Sequence, residues 1–298
     1  MNILITGATG FIGTALCQEM IECGHNVTAV IRLNSHKREK LPKEVEIIEL
    51  PIDKLSELEG SYDLFYHLAW NGSSGADRND FEIQNSNIQY TAEAIRAAKR
   101  CGCKKFIGAG SQAEYGVVHG IAKEDVTVPN PFMMYGAAKL ASYHMGRVLA
   151  DQLGILFVWP RIYSVYGVGE NEDTIISYVI KALLEGGMPD LSSCENMWDF
   201  MYITDCVEAL RLLGEKDDVS GIFNISAGNS RILKKFVGEI RDIVKPNGDI
   251  RFGTRNTDKK KTFWLEPDIN KLNNIGFTCK VAFSQGISSK ILDDGKKE

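Results

Sequence analysis

Tyr135 and Lys139 stand four residues apart, in Tyr135-Gly136-Ala137-Ala138-Lys139. On a helix that spacing puts the phenol and the ammonium on one face, one turn apart. An ammonium beside a phenol favours the phenolate, which lowers its pKa toward the working range of an acid/base. The same ammonium can also reach a ribose hydroxyl. Upstream, Gly110-Ser111-Gln112-Ala113-Glu114-Tyr115-Gly116 offers Ser111, a hydroxyl that can hold a substrate oxygen. The plainer role for such a serine is to cap its own turn. Near the start, Thr6-Gly7-Ala8-Thr9-Gly10-Phe11-Ile12-Gly13 places three glycines at three-residue intervals. A pyrophosphate binds to backbone N–H groups at a helix N-terminus where no Cβ intervenes. Gly7 suits the tight exit from a strand, Gly10 the close approach of phosphates, and Gly13 the packing of helix on sheet. The stretch lacks the Gly-Lys-Ser/Thr ending of an NTPase phosphate loop.

These groups need elements to hold them. Short apolar, β-branched runs predict strands at 2–6, 26–31, 45–50, 64–68, 105–109 and 155–161. Helical spacing of apolar residues predicts helices at 12–23, 80–101 and 135–153. Such alternation implies a parallel sheet with helices on both faces, and the doubly wound topology is its usual form. In that topology ligands lie at the C-terminal ends of the strands. Ser111, just beyond the fifth strand, is then well placed. Past Gly167 the rhythm loosens. A helix is expected at 174–184, a strand at 199–203, a helix at 205–213, a strand at 221–225 and a helix at 233–244. The tail from Ile250 reads as mixed, with Lys259-Lys260-Lys261 as a solvated loop and residues 293–298 as frayed.

Acidic residues (39) outnumber basic ones (34), which argues against a nucleic-acid partner. Seven scattered cysteines suit a reducing compartment. Cys101-Gly-Cys103 is the one close pair and has no partner at zinc spacing, so no metal is expected. The apolar start is too short for a signal peptide. No run of about 18 apolar residues offers a membrane span. A cytoplasmic location follows as an expectation.

The end of the second strand carries cofactor information. An Asp or Glu there binds the ribose 2′-OH of NAD. Here the residues are Ile31 and Arg32, followed by Ser35, Lys37 and Arg38. An Arg can clamp a 2′-phosphate. NADP is therefore favoured over NAD, with a solvent-facing basic loop as the plain alternative.

Taken together, the chain resembles an extended short-chain dehydrogenase/reductase of the NAD-dependent epimerase/dehydratase family, whose members act on nucleotide sugars. The resemblance rests on several stretches besides the glycine turn, Ser111, Tyr135 and Lys139. They are His67-Leu68-Ala69, Asn87-Ile88-Gln89-Tyr90-Thr91, and the run from Pro160 to Gly167. Two more are Asp199-Phe200-Met201-Tyr202-Ile203-Thr204-Asp205, and Asp268-Ile269-Asn270-Lys271-Leu272 with Gly276-Phe277. It implies a doubly wound Rossmann sheet over 1–165 plus about 199–226. A smaller substrate-binding domain would comprise about 166–198 plus 227–298.

The resemblance also implies roles. Tyr135 is the acid/base, Lys139 tunes it and binds the nicotinamide ribose, and Ser111 orients the carbonyl oxygen. Gly7, Gly10, Phe11, Ile12, Gly13, Arg32, Leu68, Ala69, Ile162 and Tyr163 border the dinucleotide. Trp70, Ser111, Ser164, Trp198 and Arg255 are candidates on the substrate side. Ser164 stands where the family has a phosphate-contacting Asn, and Trp198 where it has an Arg. A homodimer through the second and third long helices is the family habit, and Ala92, Ala94, Ala97, Ala98, Ala137, Ala138 and Ala141 would permit close approach.

Sugar dehydratases carry Asp-Glu directly after the catalytic serine or threonine. Gln112 and Ala113 occupy those positions and cannot do that acid/base work. The favoured expectation is NADPH-dependent reduction of a 4-keto (deoxy)sugar nucleotide. Its alternative is 4-epimerisation with retained NAD. A non-catalytic cofactor sensor on the same fold is more remote, since such proteins commonly lose the Tyr or the Lys.

Overall fold

A computed structural model describes residues 1–255 and 264–294. Lys259 to Lys261 and residues 295–298 lie outside the described residues. The strands β1 (Asn2–Thr6), β2 (Asn26–Ile31), β3 (Glu46–Glu49), β4 (Leu64–His67) and β5 (Lys105–Gly108) follow the predicted runs closely. A two-residue strand β6 (Gly110–Ser111) continues just past β5. Next come β7 (Leu156–Ile162), β8 (Ser164–Tyr166), β9 (Met197–Trp198), β10 (Phe200–Tyr202), β11 (Gly221–Ile225) and β12 (Arg231–Ile232). The helices are α1 (Phe11–Glu22), α2 (Phe81–Arg100), α3 (Met134–Leu153), α4 (Ile175–Leu184), α5 (Ile203–Glu215), α6 (Leu233–Val244), α7 (Asn270–Asn274) and α8 (Phe283–Asp294).

The main sheet runs β3-β2-β1-β4-β5-β7-β11, parallel throughout, with β6 beside the end of β7. In β1 the residues divide by pleat. Ile3 and Ile5 join one apolar cluster with Leu16 and Met20 of α1 and Leu210 of α5. Leu4 joins the other, with Ile95 and Ala98 of α2 and Ala150 of α3. Both faces are covered, which is why these strands read as continuous apolar runs. The strand order reverses between β1 and β4. The two loops there part and leave a crevice at the C-terminal strand ends.

Beyond β7 two small sheets form, β8–β10 parallel and β9–β12 antiparallel. The cluster that contains Ile3 continues through Phe200 and Phe236 to Phe283 and Ile287 of α8. The Phe236 and Phe283 rings meet edge to face at 4.7 Å. Two expectations need correction. The strand expected at 199–203 stops at Tyr202, because Ile203 already begins α5. The Asp199 carboxylate is buried instead and accepts from Ala227 N (2.9 Å) and Ser230 Oγ (3.0 Å). Residue 293 was expected in a frayed tail, but Asp293 belongs to α8 and is half-buried.

Candidate active site

The crevice is a cleft of about 620 Å³. Gly7, Gly10, Phe11, Ile12, Gly13, Arg32, Leu68, Ala69, Trp70, Ser111, Tyr135, Lys139, Ile162 and Tyr163 all line it. Elements far apart in sequence thus meet at one place. Among the described residues no Asp or Glu lines the cleft, while Arg32, Lys37 and Lys139 do. A chain of net charge −5 presents a basic cleft, which suits anionic ligands.

At its floor is the glycine turn. Gly7 has φ +72°, and a Cβ there would stand 2.5 Å from the backbone N of Ala69. A Cβ on Gly13 would stand 2.2 Å from Gly7 O. Gly10 caps α1 without a side-chain partner, and the first turn holds no acidic residue. The first N–H groups of α1 therefore remain available for an anion. A dinucleotide pyrophosphate fits this cradle on three counts: the unclaimed amides, the missing Cβ atoms and the basic surroundings.

Lys139 is 3% exposed and donates to Ala109 O at 2.6 Å. Its Nζ also lies 3.5 Å from the centroid of the Trp70 ring. Burial lowers its pKa to about 7, with Glu114 opposing that shift. His67, at the end of β4, is pushed down to about 3 by burial and by Lys139. Its neutral ring shares a hydrogen bond with Thr6 Oγ1 at 2.9 Å.

Tyr135 stands among groups that pull its pKa in both directions. Burial raises the phenol, while hydrogen bonding with Ser111 and the charge of Arg78 act to lower it. The Lys139 ammonium points to Ala109 O and the indole. Its Nζ is 5.7 Å from the Tyr135 ring centroid, whereas the Arg78 guanidinium carbon is 4.7 Å away.

Ser111 keeps the capping role and is also placed at the cleft. It faces the cleft, and its hydroxyl caps a short 3₁₀ turn by accepting from Ala113 N at 3.2 Å. Glu114 closes that turn by accepting from Ser111 N at 2.8 Å. The same carboxylate accepts from Trp159 Nε1 (2.9 Å) and Arg161 Nε (2.7 Å). A buried ion pair therefore anchors the serine from behind.

Three substrate candidates are not in the cleft wall. Ser164 is half-buried in β8, paired with Phe200 of β10. Trp198 packs one layer back against the Tyr115–Tyr163 cluster, with its Nε1 enclosed and unpartnered. Arg255 is exposed, its guanidinium 4.8 Å from the Tyr178 ring centroid. Sequence motifs fix the order of such residues but not the direction of their side chains. Conversely, Asn71, Gly72, Ser73 and Asn171 line the cleft without having been singled out. The first three follow Trp70 at the end of β4, where the strand-end rule points; Asn171 carries no sequence signal. Among the described residues no group of three or more His, Cys, Asp or Glu could hold a metal ion.

A doubly wound sheet with this glycine cradle and a Ser-Tyr-Lys cleft defines a dinucleotide-binding oxidoreductase fold. Comparison with known proteins narrows the class. The profile of the NAD dependent epimerase/dehydratase family matches residues 3–226. A relative named as an uncharacterized UDP-glucose epimerase, YtcB of Bacillus subtilis (strain 168), is 27% identical, covering 98% of this chain and 97% of its own. UDP-N-acetylglucosamine 4-epimerase from Methanobrevibacter ruminantium M1, solved with UDP-N-acetylmuramic acid, superposes with a TM-score of 0.90. It is 23% identical over 100% of this chain and 99% of its own, a likeness of fold. UDP-glucuronic acid 4-epimerase from Bacillus cereus, solved with UDP-glucuronic acid and NAD, gives a TM-score of 0.85 at 25% identity, over 100% of both chains. The chain belongs to the NAD-dependent epimerase/dehydratase family of nucleotide-sugar-modifying enzymes.

Proposed function

We propose that the protein is a nucleotide-sugar 4-epimerase that retains NAD. The carrying observation is the meeting of Tyr135, Ser111 and Lys139 in one cleft with the glycine cradle. Dinucleotide bound there supplies reversible two-electron redox at a sugar carbon. The backbone amides of Phe11 and Ile12 at the start of α1 would hold its pyrophosphate, with Gly10 leaving room for it, and Lys139 would hold its ribose. Tyr135 takes the proton from the sugar hydroxyl and gives it back to the carbonyl oxygen. Ser111 donates a hydrogen bond to that oxygen and keeps it in register with the phenol. Gln112 and Ala113 leave no carboxyl group at the positions where dehydratases use one, so the chemistry stops at redox.

This order reverses the preference read from Arg32. Named relatives and structural neighbours are mostly 4-epimerases, which supports epimerisation over net reduction. One observation favours the second reading, an NADPH-dependent ketosugar reductase. Arg32 and Lys37 line the cleft near the end of β2, and among the described residues no carboxylate lines it there for a ribose 2′-OH. Stoichiometry separates the two. An epimerase converts UDP-sugar with no net consumption of added dinucleotide; a reductase consumes one NADPH per product.

The same proposal divides the chain into a cofactor part, 1–165 with about 199–226, and a substrate part, 166–198 with 227–298. In support, β11 lies in the main sheet, whereas β8, β9, β10 and β12 form separate small sheets. It also includes a homodimer through α2 and α3. Of the small residues invoked for close approach, Ala94, Ala97 and Ala98 pack inward on the sheet. Ala137, Met145 and Val148 remain exposed for a partner. A cytoplasmic location accords with seven free cysteines. No helix among the described residues is long and apolar enough to cross a membrane.

A further inference from the structure

Arg78 belongs to none of the motifs above, yet it is the cation nearest the Tyr135 ring. It sits on a 3₁₀ turn, Ala76–Asn79, just before α2. Adjacent residues tie that turn to both long helices. The Asn79 side-chain oxygen accepts from Met134 N, the first amide of α3, at 3.3 Å. Asp80 caps α2 by accepting from Ile83 N at 2.9 Å. Gln84 Nε2 donates to Asp77 O (2.9 Å) and Gly72 O (2.7 Å). Arg78 is therefore held by the same contacts that hold the start of the helix bearing Tyr135. Its side chain is half-buried, and Nε is enclosed with no hydrogen-bond partner. Among the described residues no carboxylate forms an ion pair with it.

We propose that Arg78 is the positioning residue for Tyr135: its guanidinium seats the phenol ring in the cleft and keeps an unneutralised positive charge beside it. The proposal rests on Tyr135 being the acid/base. A cation over an aromatic face is attracted to it. At this range a positive charge also favours the phenolate. The other groups facing the ring do not replace it. Lys139, on the same helix, is committed to Ala109 O and the Trp70 ring. Glu114, from the turn after β6, acts in the opposite sense and is paired with Arg161. Ser111 contributes a neutral hydrogen bond. Arg78, 57 positions upstream of Tyr135, thus adds a second cation beside the phenol ring that Lys139 also faces.

The test is a phenolate absorbance titration, taken as wild type minus Tyr135→Phe to isolate one of the ten tyrosines. In the Arg78→Met background the difference curve moves to higher pH; with Arg78→Lys it stays near wild type. Turnover in the sugar-oxidising direction follows the phenolate. Arg78→Met loses on the order of tenfold at neutral pH and regains it as the pH rises. Simple damage to the fold lowers the rate at every pH and is not repaired by Lys. Coincident titration curves for wild type and Arg78→Met overturn the proposal. If Tyr135→Phe keeps wild-type turnover, the acid/base reading itself fails, a result independent of where the Arg78 curves fall.

Discussion

Charge state in the cleft is set by burial before any ligand arrives. His67 shows the sign most clearly. Its folded pKa is about 3, against an ordinary value of 6.5. Between those values the unfolded chain binds a proton that the folded chain refuses. Stability therefore falls as pH drops from 6.5 toward 3. Melting temperatures across that window should decline less steeply in His67→Gln, whose amide can still meet the Thr6 hydroxyl. Arg32 poses a second residue-scale question. Removing a charge-assisted contact to a 2′-phosphate costs about 1.5–3 kcal/mol. Under the second reading Arg32→Ala weakens NADP binding roughly tenfold or more, as read by calorimetry, whereas in an enzyme that retains NAD it leaves dinucleotide affinity almost unchanged. Equal binding of NADP to wild type and variant would make the basic loop solvated surface.

Individual elements carry the site with little tolerance. At Gly7 an added Cβ meets backbone rather than a side chain, at a positive φ. Gly7→Ala should cost about 2 kcal/mol or more in denaturant unfolding and abolish dinucleotide binding. Glu114→Gln should cost about 3–5 kcal/mol, because it leaves the Arg161 guanidinium buried without its counter-charge. The elements around the cleft were legible because period and position agree there: β-branched runs for β1 and β2, a leucine and aromatic run for β4, and glycines where strand turns into helix. Others were not. Apolar positions of α8 are diluted by Ser284, Gly286, Ser288 and Ser289, so its helical period is weak. The two- and three-residue strands β6, β8, β9 and β12 are set by tertiary pairing, which no local pattern encodes. Arg78 was invisible for a related reason. It reaches Tyr135 only because Asn79 and Met134, 55 residues apart, are hydrogen-bonded.

On the scale of the whole molecule, the basic cleft sits at the C-terminal ends of the main-sheet strands. One apolar cluster runs continuously from β1 to α8. Outside it, α3 exposes Met145 (60%) and Val148 (48%), a small apolar strip beside α2. Sedimentation should show a dimer at micromolar concentration, and Met145→Glu should split it to monomers. A wild-type monomer under those conditions removes the proposed interface.

The central claim is that one cleft holds the dinucleotide and, through Tyr135, moves the proton that accompanies sugar redox. Turnover of UDP-glucose, followed as formation of the 4-epimer by chromatography and paired with dinucleotide affinity for Tyr135→Phe, tests it most directly. The account predicts product from wild type without net cofactor use. It predicts loss of turnover by at least about a hundredfold in Tyr135→Phe, with dinucleotide affinity within a few-fold of wild type. Full turnover by Tyr135→Phe, or loss of dinucleotide binding together with turnover, would contradict it.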